Sequence, residues 1–213
     1  MVSVADTSKQ AMSESFWNDR YNSNESSYGD DPNQFFKDQL LTLTPGELLL
    51  PGEGEGRNAL FAAEISWKVS AIDYSKVAQE KALSLARIKN LTIRYEQGDI
   101  GSRILPSDQY DAIALIYVHL PDKERKHLHR QCVNALKPGG TIIMEAFSQG
   151  QEKYSSGGPK DPGLLYSLDD LEKEFQALNV EVAEEIIVHL DEGQFHRGLA
   201  SIVRLVAKKS DNE

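Results

Sequence analysis

From residue 46 onward the chain alternates short apolar runs with longer segments of helical periodicity. The apolar runs at 47–51, 68–73, 92–97, 110–116, 140–147, 181–189 and 198–207 predict strands. Amphipathic spacing at about 57–65, 75–89, 122–136 and 168–178 predicts the helices between them. Strands alternating with helices imply an α/β three-layer sandwich, its parallel sheet covered on both faces. Only Asp191–Arg197 separates the last two runs, too little for a helical crossover, so these strands should form an antiparallel hairpin. The expected sheet therefore has seven strands, mostly parallel, with one antiparallel.

Before this pattern begins, Phe16-Trp17-Asn18-Asp19-Arg20-Tyr21 reads as a short aromatic helix. A turn-rich stretch follows, and Pro32 opens a helix through about Leu43 whose apolar side carries Phe35, Phe36 and Leu40. Residues 1–45 are expected to form a tail and helical cap, 46–207 a single domain, and 208–213 a flexible tail; disorder is expected over residues 1–12.

A length of 213 residues suits one domain with a sizeable core. No apolar stretch approaches the roughly 20 residues that span a bilayer, and the start lacks the basic, apolar and cleavage regions of an export signal. The single Cys132 excludes an internal disulfide; with the missing signal it points to the cytoplasm. A net charge of −10 argues against gripping a nucleic-acid backbone. The expected partner is a small molecule, with neither nucleic acid nor membrane, and the chain is expected to be a monomer.

Candidate chemistry concentrates in Leu48-Leu49-Leu50-Pro51-Gly52-Glu53-Gly54-Glu55-Gly56-Arg57-Asn58. Alternating glycines at a strand-to-helix turn let backbone N–H groups approach a ligand at the positive end of a helix. About 17 residues on, Asp73 closes the second apolar run, at the spacing of a ribose-binding acid. The pair points to a nucleotide-like cofactor. Gly54 to Ala59 also meets the loose G-x-G-x-x-G/A pattern, which keeps a nicotinamide or flavin enzyme open. Further along, Gln97-Gly98-Asp99-Ile100 places a carboxylate and a backbone N–H after the third strand. Tyr110-Asp111 leads the fourth, and Leu136-Lys137-Pro138-Gly139-Gly140 turns into the fifth.

In this order the motifs resemble the Rossmann-like, class I S-adenosylmethionine-dependent methyltransferases, over about Leu48 to Ala207. The resemblance implies that Gly52, Gly54 and Gly56 line the methionine and ribose of S-adenosyl-L-methionine. It implies that Asp73 accepts from both ribose hydroxyls, with Tyr74 beside it, that Asp99 takes the adenine amino group, and that Ile100 offers its N–H to the ring. Phe16 to Tyr21 with Tyr28-Gly29 and Pro32-Asn33 is similar to the opening of the bacterial tellurite-resistance-like and thiopurine-methyltransferase-like groups. There an aromatic N-terminal segment covers the cofactor, which would place Trp17, Arg20 and Tyr28 at the site, Arg20 pairing with the cofactor carboxylate. One position departs from the pattern. Leu50, followed by Pro51, stands where the family usually carries an acid that holds the methionine ammonium, and Glu53 is the nearest substitute.

Methyl transfer needs alignment and exclusion of water, and a base only when the acceptor arrives protonated. His119 follows the fourth strand at the carboxyl edge of the sheet and is the candidate for a wall of the acceptor site or a proton acceptor, although an ordinary partly buried histidine fits there too. The loop from Ser148 to Tyr166 is expected to lie over the acceptor. Cys132 shares a helix face with Leu128 and Ala135 and reads as a core thiol; the scattered histidines give no metal site. No Asn/Asp-Pro-Pro-Tyr-type motif follows the fourth strand, which disfavours methylation of exocyclic amino groups. The expectation is transfer to a small molecule, a soft anion or thiol-like acceptor. A non-catalytic S-adenosylmethionine-binding module and a nicotinamide oxidoreductase are the alternatives.

Overall fold

The computed structural model describes residues 13–23 and 25–211, so the disorder expected over 1–12 lies outside the described residues. The strands are β1 (Glu47–Pro51), β2 (Lys68–Asp73), β3 (Arg94–Gln97), β4 (Tyr110–Ile116), β5 (Leu136–Phe147), β6 (Asn179–Asp191) and β7 (Arg197–Lys208). The helices are α1 (Glu14–Tyr21), α2 (Gln34–Leu40), α3 (Arg57–Glu64), α4 (Lys76–Ile88), α5 (Asp122–Ala135) and α6 (Leu168–Glu174). One sheet of order β3-β2-β1-β4-β5-β7-β6 contains all seven strands, and β7 alone runs opposite to the other six.

Period-two geometry explains how β1 is covered on both faces. Leu49 enters one apolar cluster with Ile113 and Leu115 of β4 and Leu128 and Cys132 of α5. Leu48 and Leu50 enter the opposite cluster with Phe36 of α2, Leu60 of α3 and Ala82 of α4. Each leucine is essentially inaccessible, and burying such a side chain stabilises by about 1.5–3 kcal/mol. Helix starts are fixed by side chains: Asn33, Ser75 and Ser167 each accept the backbone N–H three residues on.

Three boundaries differ from the sequence pattern by three residues or more. The helix expected to reach Leu43 ends at Leu40, and the N–H groups of Thr42 and Leu43 turn back to Gln39 and Leu40. The last helix ends at Glu174, because Phe175 leaves helical geometry to bury its ring. β5 starts at Leu136, four residues before the expected strand. Tyr110 pairs with Leu136 and Ala112 with Thr141, so the Pro-Gly-Gly turn lies within a register shift. Past Ala207, Lys208 ends β7, and the Lys209 N–H donates to the Gly140 carbonyl at 2.8 Å.

The strand order reverses between β1 and β4, the topological switch point that leaves a crevice at the strands' carboxyl ends. No helix among the described residues is long and apolar enough to cross a membrane.

Candidate active site

The turn after β1 is built by backbone geometry. Gly52, Gly54 and Gly56 have φ of +70°, +67° and +93°, where side chains are disfavoured. The Gly52 N–H donates to the Ile72 carbonyl at 2.7 Å, and the Gly54 N–H to Asp73 Oδ2 at 2.9 Å. The second carboxylate oxygen, Asp73 Oδ1, accepts from the Ser75 N–H at 2.8 Å. Burial pushes the Asp73 carboxyl up to about 6, against the pull of these backbone donors. The Tyr95 hydroxyl donates to the Gly54 carbonyl from below, at 2.5 Å. Above, a β-carbon at Gly54 would meet Tyr21 Oη at 2.7 Å, so the glycine and the ring share one space.

The charged residues between the glycines tie other elements to this turn. Glu53 accepts the Ala59 N–H at 2.7 Å, capping the uncapped start of α3, and burial lifts its carboxyl to about 8. Glu55 accepts the Ser27 N–H and the Lys81 ammonium, each at 2.7 Å. Arg57 donates to the Tyr28 carbonyl at 2.8 Å and to Glu192 Oε2 at 2.9 Å. Residues 13–23 and 25–31 thus form a lid clasped to the glycine turn. Trp17 stacks on Tyr21 at 5.8 Å within it. Asn18 Oδ1 accepts from Ser75 Oγ at 2.7 Å.

Against the lid packs an aromatic enclosure. Tyr117, directly after β4, sits at φ +54°, a conformation that costs a tyrosine on the order of 1 kcal/mol or more. The Tyr117 N–H bond to the Glu145 carbonyl at 2.8 Å and the hydroxyl bond to Glu145 Oε1 at 3.0 Å hold it there. Its ring centroid is 4.3 Å from that of His196 and 4.9 Å from that of Phe147. Tyr28 closes the other side, 4.6 Å from His196, and Arg20 stacks over Phe195 at 4.0 Å. His196 and Phe195 come from the tip of the β6–β7 hairpin. Gly157 permits the close fit, since a β-carbon there would strike the Phe195 carbonyl and stand 2.9 Å from His196 Cδ2.

Under this enclosure runs a polar network. Buried Glu145 accepts from Asn33 Nδ2 at 2.6 Å and from Arg204 Nε at 2.7 Å. Asn33 also reaches Glu192 Oε1 at 3.1 Å.

The model of a family described as a methyltransferase domain matches residues 49–140, from β1 to the start of β5. Residues 49–140 are similar to such a domain. The cofactor this similarity implies is S-adenosylmethionine. Three solved structures share the fold. One, described by the conversion of a disulfide bond into a thioacetal group during echinomycin biosynthesis, is 17% identical with a TM-score of 0.75, covering 95% of this chain and 93% of that one. TehB from Haemophilus influenzae is 17% identical with a TM-score of 0.72, covering 92% of this chain and 67% of that one. An S-adenosylmethionine-dependent methyltransferase from Methanosarcina mazei is 17% identical with a TM-score of 0.66, covering 85% of this chain and all of that one. A curated relative, Hemagglutinin 1 of Eikenella corrodens, is 28% identical over 114 residues, 52% of this chain; the match covers 38% of that protein's length.

The geometry of this segment fits such a cofactor. Asp73 is a buried carboxylate whose two side-chain bonds come from backbone N–H groups, one on each oxygen, which leaves acceptor capacity for a ribose diol. The glycine turn around it presents backbone where side chains would collide. Ile100 packs its side chain toward Gly52, 3.5 Å from where a β-carbon there would stand. Tyr74 is partly exposed beside Asp73, and its carbonyl accepts from Gln97 Nε2 at 3.4 Å. Asp99 stands apart: it is exposed and accepts from the Gly101 N–H and the Ser102 hydroxyl of its own loop. Arg20 faces Phe195 and the Tyr28 hydroxyl.

His119 is enclosed rather than poised. Its Nδ1–H donates to the Leu164 carbonyl at 2.8 Å, Nε2 accepts the Phe147 N–H at 3.4 Å, and the ring stacks on Phe147. Burial depresses it to about 4, so it is neutral at physiological pH with both nitrogens engaged. Cys132 is a buried core thiol, pushed up to about 12 by burial. His196, Glu192 and Glu145 were not singled out from the sequence. The one available signal was the hairpin connection 191–197, which carries Glu, Phe, His and Arg where a simple turn needs Asn or Gly.

Proposed function

We propose that this chain transfers a methyl group from S-adenosylmethionine to a small soft acceptor, a thiol or a chalcogen anion. The observation that carries the reading is the joining of two unlike walls through Arg57 and Tyr28. Asp73 and the glycine turn form one, and the rings of Tyr28, Tyr117, Phe147, Phe195 and His196 form the other. When bound, the cofactor supplies a methyl group already activated on a cationic sulfur. Aromatic faces favour such a cation and displace water from a polarizable acceptor. Asp73, Tyr74, the glycine turn and Ile100 would hold the cofactor, with Trp17 and Tyr21 above it and Asp99 at the adenine end. His119, through Leu164 and Phe147, fixes the floor of the enclosure. The likeness to the structure described by conversion of a disulfide bond into a thioacetal group supports a sulfur acceptor.

Leu50 favours a second reading. It is buried in the apolar cluster and Glu53 is turned to α3, so β1 offers no acid toward the methionine ammonium. Binding without turnover would follow if that loss is decisive. Calorimetric titration with S-adenosylmethionine, S-adenosylhomocysteine and NADH tests the cofactor. S-adenosylhomocysteine release on adding tellurite, selenite, sulfide or 2-mercaptoethanol tests the acceptor class. Binding of both adenosyl ligands with turnover of at least one acceptor is expected; binding with none turned over favours the second reading. Preference for NADH overturns both.

A further inference from the structure

The buried imidazole of His196 is the one ring in the enclosure without a settled partner. Its Nδ1 makes no hydrogen bond and lies 3.5 Å from Glu192 Oε2, within ion-pair range but long for a hydrogen bond. An unpaired buried nitrogen costs on the order of 1–3 kcal/mol, so its persistence beside one carboxylate is informative. That carboxylate is itself fixed from two other elements, by Arg57 Nη2 at 2.9 Å and by Asn33 Nδ2 at 3.1 Å. The ring is wedged between Tyr28 and Tyr117 and stands perpendicular to Phe147 at 5.1 Å.

We propose that Glu192, clamped by Arg57 and Asn33, is a positioning residue that holds the Nδ1–H tautomer of His196 and leaves Nε2 as the base for a protonated acceptor. A carboxylate can only accept, so a proton on Nδ1 is the arrangement it selects. The step balances simply. The acceptor's X–H bond breaks, its proton goes to Nε2, and the electron pair stays on X for the methyl group. Histidine becomes imidazolium, next to the carboxylate that stabilises it.

Arg57 gives this arrangement a second property. The guanidinium that clamps Glu192 also donates to the Tyr28 carbonyl in the lid. Closing the lid and orienting the base are therefore one event. The charged groups facing His196 are Glu192 of its own hairpin, Arg57 of α3 and Arg20 of α1, with neutral His119 nearby. Burial and the two arginines favour the neutral ring, and Glu192 opposes them.

This proposal rests on the reading of the enclosure as the acceptor site, and the test separates the two. Histidine ring ¹⁵N spectra of the full chain report the tautomer of His196, assigned with H196Q, whatever the acceptor is. Glu192→Gln and Arg57→Gln are each expected to move the ring from Nδ1–H toward a mixture. With S-adenosylmethionine and 2-mercaptoethanol, Glu192→Gln is expected to lower kcat tenfold or more with cofactor KM unchanged. The acid limb of its pH profile moves down by about one unit, and Glu192→Asp restores part of the loss. An unchanged tautomer in both variants overturns the proposal, as does an unchanged pH profile in Glu192→Gln. Two variants guard against one failing to fold. If His196→Gln keeps full turnover, the acceptor-site reading fails instead. If it loses turnover while Glu192→Gln does not, only the positioning role fails.

Discussion

Asp73 accepts the backbone N–H of Gly54 at 2.9 Å, so the end of β2 holds the glycine turn that follows β1. In the proposed reading the same carboxylate accepts from a ribose diol, and burial raises it to about 6. Its ionised form is the better acceptor. Affinity for S-adenosylhomocysteine should therefore be full near pH 7.5 and fall about tenfold per unit once pH drops below about 6. Calorimetry at pH 5 and 7.5 checks this. Asp73→Ala should weaken binding by about a hundredfold or more at pH 7.5, from the loss of two charge-assisted bonds. Linkage for the free protein has the opposite sign. A raised carboxyl contributes stability below its ordinary value that is lost as pH climbs through about 6.

Gly54 and Tyr21 compete for one space. Gly54→Ala puts a methyl 2.7 Å from Tyr21 Oη at a φ of +67°. It should lower stability by about 1–3 kcal/mol and weaken S-adenosylhomocysteine binding. Adding Tyr21→Phe removes the closest contact and should recover part of both losses. Equal thermal melts for the single and double variants would show that the lid does not press on the turn.

His119 supports the enclosure through neutral-state bonds. Burial depresses it to about 4, so the unfolded chain takes up a proton first as pH falls. Its contribution to stability is complete above pH 6.5 and is lost progressively toward pH 4. His119→Ala abandons the Leu164 carbonyl and the stacking on Phe147 and should cost about 2–4 kcal/mol. Urea unfolding at pH 7.5 and pH 5 measures both effects, and the variant should show a smaller difference between the two pH values than the native chain.

A second buried ion cluster lies between α5 and α6. Arg125 donates through Nε and Nη2 to Glu174 Oε1, at 3.1 and 2.7 Å, and His129 Nδ1 lies 2.6 Å from Glu174 Oε2. Glu174→Ala leaves a buried guanidinium without its main partner and should cost about 3–5 kcal/mol in denaturant unfolding. Folded molecules of this variant should bind S-adenosylhomocysteine as the native chain does, because the cluster does not touch the glycine turn.

The sheet was legible because its information is local. Leu48, Leu49 and Leu50 alternate between two cores, and four of the described helices announce their start with Asn or Ser. The approach of the glycine turn to Asp73 was legible for the same reason, since Gly54 and Asp73 meet across adjacent parallel strands. The acceptor wall was not. His196 reaches Tyr117 and Tyr28 only because the hairpin tip folds over the sheet, and Asn33 meets Glu145 across 112 positions. His119 looked well placed by strand order, yet the direction of its ring depends on Leu164, which the sequence pattern leaves in a loop. The Pro-Gly-Gly segment misled in a smaller way, because a register shift can absorb a turn without ending the strand.

β7 runs between β5 and β6, paired with both. A strand in that position cannot be added at the sheet's edge after its neighbours are in place, so β6 and β7 should dock against β5 as a preformed hairpin. Its tip carries Glu192, Phe195 and His196. The order of assembly follows from this: Gly54 and Asp73, 19 positions apart, can meet early, while the hairpin-tip rings must wait for β7 to pair with β5. During refolding, affinity for the adenosyl ligand should return before turnover does.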